Sequence, residues 1–110
     1  MKWRCTVCNY IHDGDSPPDF CPNCNAPADK FVKVEGDEPN LIERSRLTNG
    51  LHMELATLAK KIIDVSEAGI EDNLDPGCVR VFENARKWAW DIIRACEAEI
   101  RVHVGKGKWG

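Results

Sequence analysis

Cys5-Thr6-Val7-Cys8-Asn9-Tyr10 and Cys21-Pro22-Asn23-Cys24-Asn25 set the reading of this chain. Each is a Cys-x-x-Cys knuckle, and twelve residues separate the two. Two residues between cysteines let one tight turn aim both sulfurs at a single point. Two such knuckles facing each other form a tetrahedral cage of four thiolates, with metal–sulfur bonds of about 2.3 Å when the ion is zinc. Cys5, Cys8, Cys21 and Cys24 are therefore the candidate metal ligands. The residue after each knuckle commonly takes a positive φ, and Asn9 and Asn25 stand there; asparagine tolerates that region better than other non-glycine residues. Ligand type and spacing leave the metal open, because four sulfurs suit both zinc and iron.

Four thiols in so short a stretch could also form cystines. The N-terminus, Met1-Lys2-Trp3-Arg4-Cys5, has no apolar run of the kind a secretion signal needs. A cytoplasmic, reducing location is expected, and there this pattern favours metal over disulfide. A thioredoxin-like redox pair is disfavoured, since no βαβ context surrounds either knuckle.

Outward from the knuckles the chain changes character. Residues 1–36 show no helical periodicity and are too few to fold on an apolar core alone, so a metal staple is expected. Gly36-Asp37-Glu38-Pro39-Asn40 reads as a hinge. Residues 37–110 read as an antiparallel helical hairpin. Leu51, Leu55, Leu58, Ile62 and Val65 recur at alternating spacings of four and three, with Leu47 one turn earlier, and predict an amphipathic helix with a coiled-coil-like seam. Asn49-Gly50 leaves open whether that helix is one rod or a short and a long piece. A stop is expected at Ala68-Gly69, with the glycine as left-handed cap. Asp75 and Pro76 read as N-cap and first residue of a second helix. Its stripe is Phe82, Ala85, Ala89, Ile92, Cys96 and Ile100, flanked by Trp88 and Ile93, and it runs to about Val104. Lys106-Gly107-Lys108-Trp109-Gly110 reads as a mobile tail that could also dock.

A lone hairpin buries only one seam. A second copy is the expected lid, giving a homodimeric four-helix bundle through the hairpin. The net charge of −3 argues against nucleic acid and fits a basic partner protein. No apolar run is long enough to span a bilayer.

Trp3-x-Cys5-x-x-Cys8-x-Tyr10, Gly14, Pro18-x-x-Cys21-Pro22-x-Cys24 and Phe31 together resemble the rubredoxin-type site. The short spacer is similar to the rubredoxin-like domain of rubrerythrins, and the resemblance covers about the first third of the chain. Asn9 and Asn25 replace the glycines usual after each knuckle. The resemblance implies one iron cycling between Fe3+ and Fe2+, one-electron transfer to and from redox partner proteins, and no bond chemistry by the chain itself. It also implies that Cys8 and Cys24 lie nearest the surface as the electron exit, with Trp3, Tyr10, Phe20 and Phe31 shielding the cage. The alternative is a zinc-stabilised assembly module.

Rubrerythrins add a di-iron site built from Glu and Glu-x-x-His. This chain offers Glu43, Glu54, Glu99 and His103, but Glu99 and His103 are four apart and no Glu-x-x-His occurs. A peroxide-reducing, rubrerythrin-like enzyme is thus the minor reading, and Glu99 with His103 are expected to pair at the helix end. Cys96 reads as a buried small hydrophobe and Cys78 as inert or part of an interface, although its place in a first helical turn could lower its pKa. Trp88 and Trp90 cannot share one seam, so one of them is expected to be exposed.

Overall fold

A computed structural model describes the chain from Met1 to Gly110. Three short strands are followed by two long helices, forming a small sheet and a helical hairpin. The strands are β1 (Lys2–Cys5), β2 (Ile11–Asp13) and β3 (Phe31–Lys33), and the helices are α1 (Glu38–Asp72) and α2 (Pro76–Gly105). The sheet is antiparallel in the order β2-β1-β3, with Trp3 opposite His12 and Cys5 opposite Phe31. No helix is long and apolar enough to cross a membrane.

Packing divides the chain into two compact units, one of Met1–Arg46 with Lys106–Gly110, the other of Leu47–Gly105. The division falls later than the compositional change at residue 36. The reason is a set of contacts that the first turns of α1 make with the sheet. Ile42 is fully buried with Ile11 and Val34. Lys2, 8% exposed, sends its Nζ to Asp13 Oδ1 at 2.8 Å and to Glu43 Oε2 at 2.7 Å. Arg46 pairs with Asp13 and, at 3.1 Å, with Glu43. A buried ammonium requires such partners, because an unpaired charge there is strongly disfavoured. The C-terminal residues join the same unit and are not a free tail. Gly107 and Gly110 take positive φ values of 70° and 141°, and Gly110 O accepts from Arg46 Nε at 2.7 Å.

The hairpin unit corrects one expectation and shows which residues of α1 form its core. First, α1 runs without interruption through Asn49-Gly50 and past Gly69 to Asp72, where Asn73 takes the left-handed position at φ 49°. Its amide closes on Gly69 O at 3.2 Å. Gly69 is a helical residue kept small by a neighbour: a Cβ there would lie 2.3 Å from the Phe82 ring. Secondly, the large aliphatic stripe of α1 is not the seam of the hairpin. Leu51, Leu55, Leu58, Ile62 and Val65 are exposed, whereas Asn49, Ala59, Ile63 and Ser66 are buried. Ala59 and Ile63 pack with Ala89, Ile92 and Ile93. Ala59 and Ala89 let the helix axes approach closely, and Ile63, Ile92 and Ile93 fill the space beside them.

The second helix follows its sequence. Asp75 caps it through Oδ1, which accepts from the Cys78 amide at 2.7 Å, and Pro76 opens it. Ala89 and Cys96 are its buried residues. Trp88 and Trp90 are both exposed, and Arg94 lies over the Trp90 ring, 5.5 Å from its centroid.

Candidate metal centre

The two knuckles have the same backbone geometry, residue for residue. Cys5 O accepts from the Asn9 amide at 2.9 Å, and Cys21 O accepts from the Asn25 amide at 2.8 Å. Cys5 N donates to Tyr10 O at 2.9 Å, and Cys21 N donates to Ala26 O at 2.8 Å. Closing each turn requires a left-handed residue after the second cysteine. Asn9 and Asn25 supply it, at φ 66° and 62°. The sheet anchors the first knuckle at the end of β1. Thr6 ties the turn to Lys30 O, its amide at 2.9 Å and its hydroxyl at 2.7 Å. A short bridge between Phe20 and Pro27 frames the second.

The four Sγ atoms converge to within 4.8 Å of one another. Cys5 and Cys24 are 3.6 Å apart, as are Cys8 and Cys21. A tetrahedron with metal–sulfur bonds of about 2.3 Å has sulfur–sulfur edges of about 3.8 Å, whereas a disulfide needs about 2.05 Å. The spacing fits a cation at the centre and no cystine; all six cysteines are free thiols.

Burial alternates within the knuckles. Cys5 and Cys21 are 0% and 3% exposed, while Cys8 and Cys24 reach the surface. Phe31 and Trp3 pack against the buried sulfurs, and the Trp3 indole donates to Gly14 O at 3.1 Å. The expected shield is thus half realised: Tyr10 and Phe20 are exposed, the latter by 60%.

The surroundings already handle negative charge on sulfur. The Asn23 side chain and the Tyr10 amide donate toward Cys8 and bring its thiol down to about 6. At Cys24 the Ala26 amide also pulls downward, but burial and the neighbouring Cys8, Cys5 and Cys21 sulfurs push it up to about 12. Thiolates crowded this closely cannot all ionise beside one another without a cation. Asn23 is the contributor that knuckle spacing did not single out. The only signal for it was a polar amide among the residues between the two cysteines.

The remaining candidates do not join this cluster. Glu43 is engaged with Lys2 and Arg46. His103 Nδ1 lies 2.5 Å from Asn49 Oδ1 and its ring stands edge-on to His52, so Asn49 replaces Glu99 as its partner. Glu54 and Glu99 are exposed. Cys96 is buried, as expected of a small hydrophobe. Cys78 is exposed and Asp75 beside it pushes its thiol up, not down.

Comparison with known proteins agrees with this geometry. Reverse rubrerythrin-1 of Clostridium acetobutylicum is 47% identical over 36 residues, which is 33% of this chain and 20% of that protein. Rubrerythrin of Nitratidesulfovibrio vulgaris is 47% identical over 30 residues, 27% of this chain and 16% of the relative. The matched segment thus covers a fifth or less of either relative. No solved structure matches the chain. Residues 3–32 match the family described as rubrerythrin, rubredoxin-like domain, and the region around the four cysteines is a rubredoxin-like domain of the rubrerythrin type.

Proposed function

We propose that the chain is a one-electron carrier in which Cys5, Cys8, Cys21 and Cys24 hold a single iron. The observation that carries this reading is the paired knuckle, with four sulfurs at tetrahedral spacing and two of them at the surface. Iron bound there supplies the ferric–ferrous couple. The chain does the rest. Two turns pinned by matching backbone hydrogen bonds hold the sulfurs in place, so that bond lengths change little when charge changes. The Tyr10 and Ala26 amides and the Asn23 side chain stabilise the negative sulfurs and tune the potential.

Cys8 and Cys24 offer the electron a short route out, and Val7 and Phe20, each next in sequence to a knuckle cysteine, are exposed. Acidic net charge suits a redox partner with a basic docking surface. Six unpaired thiols suit a reducing compartment such as the cytoplasm.

Purified protein should be red, should contain one iron per chain, and should bleach with dithionite. A colourless protein with one zinc per chain would replace this reading with a zinc-stabilised assembly module, which the same sulfur geometry also fits. Two or three irons per chain would point instead to a rubrerythrin-like enzyme.

A further inference from the structure

The stripe that α1 turns away from its own hairpin has the spacing of a coiled-coil seam. In heptad terms Leu55 and Ile62 are a residues, and Leu51, Leu58 and Val65 are d residues. The e residues, His52, Ala59 and Ser66, lie on the edge that carries the hairpin core. The g residues, Leu47, Glu54 and Lys61, line the opposite edge and are exposed. On the same face, Ile62 and Val65 join Val81, Phe82 and Ala85 around an apolar groove of about 320 Å³.

Leu47, Leu51, Leu55, Leu58, Ile62, Val65 and Val81 each leave 44–71% of their surface in contact with water. Together they expose on the order of 600 Å² of mainly apolar surface, close to the roughly 800 Å² that each partner contributes to a standard interface.

We infer that this face binds the same face of a second copy, with the two α1 helices antiparallel about a two-fold axis between Leu55 and Leu58. The charges select this occupant and this register. Glu54 and Lys61 make no ion pair within their own chain. In an antiparallel coiled coil g residues meet g residues. With Leu55 against the partner's Leu58, Leu51 meets the partner's Ile62. Glu54 then stands beside the partner's Lys61, and Lys61 beside the partner's Glu54. The partner's Leu51 also lies over the groove at Ile62 and Val65. A parallel pairing would need g to meet e, and the e edge is already occupied by α2. Sliding the antiparallel pair one layer toward the loop would bring Lys61 against the partner's Lys61, which disfavours that register.

This dimer is independent of which metal the head carries, so its test reads mass. Sedimentation equilibrium on the full chain should give twice the 12.4 kDa protomer at micromolar concentration. E54K and K61E alone should each weaken the dimer about tenfold, since both ion pairs become repulsions, and E54K combined with K61E should restore the affinity to within about twofold. These residues are exposed, so the fold should survive, and circular dichroism checks that it does. L55D combined with L58D should give monomers that keep their helix signal. A monomer at all concentrations in the unaltered protein would overturn the inference. A dimer indifferent to the single charge reversals would overturn the register and the face together.

Discussion

The Phe82 ring lies so close to Gly69 that a methyl group at residue 69 would sit 2.3 Å from it. Alanine is the better helix former by about 1 kcal/mol, and propensity alone would make Gly69→Ala stabilising. The contact reverses that sign. Overpacking of this kind destabilises by about 1–3 kcal/mol, because the ring must shift or the helices separate. Thermal unfolding of G69A should show a lower midpoint than the parent, and adding F82L should recover most of the loss.

Asn9 and Asn25 hold the same left-handed conformation at the close of each knuckle. Asparagine tolerates that conformation because its short polar side chain can hydrogen-bond locally; alanine lacks that group and bears the left-handed cost of about 1–2 kcal/mol in full. Glycine takes that conformation freely. N9A and N25A should therefore release metal to a chelator faster than the parent, whereas N9G and N25G should match it or release more slowly. Equal release from all four variants would show that these turns do not limit the cage.

Much of the metal site was readable because its determinants are local. Each Cys-x-x-Cys turn with its left-handed asparagine, and the capped helix at Asp75-Pro76, act within five residues of themselves. The hairpin seam was not readable, because periodicity reports that a stripe exists and not what covers it. The leucine stripe has the stronger pattern. Ala59, Ile63 and Ser66 nonetheless took the seam: the small Ala59 and Ser66 permit a close approach of the helices, and Ile63 fills it. Gly69 failed for a related reason: a glycine near a helix end suggests a cap, and only Phe82, thirteen residues on, shows that it is a packing site. The tail was equally hidden, because its anchor at Arg46 lies 64 residues away in sequence.

Asp13 sits between two cations, and the hydrogen bond from Arg46, followed by that from Lys2, holds its carboxyl well below the usual range. Lys2 lowers Glu43 as well. A folded-state pKa below the unfolded value adds stability above the unfolded pKa, and that stability is lost as pH falls through the acid range. Lys2 behaves oppositely. Burial lowers it, but Asp13 and Glu43 prevail and raise it, so its contribution is lost only as pH rises beyond about 10.5. Asp13→Asn should reduce stability near pH 7 by up to about 1 kcal/mol, a modest figure because the carboxylate is half exposed. The gap between parent and D13N in urea should narrow as pH falls below the usual carboxylate range, where the unfolded parent takes up the proton, and close only when the folded carboxyl, held well below that range, is protonated too. A gap of constant size from pH 7 down through the acid range would mean that Asp13 acts through packing and not through charge.

Removing the metal should divide the molecule's behaviour. The buried apolar residues around the knuckles are Cys5, Cys21 and Phe31, so two of the three are themselves candidate ligands. Without a cation their thiols lose the attraction that gathers them, and the short knuckle loops have no other core to hold them. The hairpin has its own core in Ala59, Ile63 and Ala89. Since 35 residues of α1 and 30 of α2 are helical, most of the far-ultraviolet dichroism should survive metal removal. The Asn9 and Asn25 amides, protected by bonds to Cys5 O and Cys21 O, should instead exchange with solvent at near-unfolded rates. Cys8→Ser should show the same split more weakly, because oxygen replaces only one surface sulfur. Amides at Asn9 and Asn25 that stayed protected in the metal-free chain would show that the turns fold on backbone bonds alone and that the ion is a passenger.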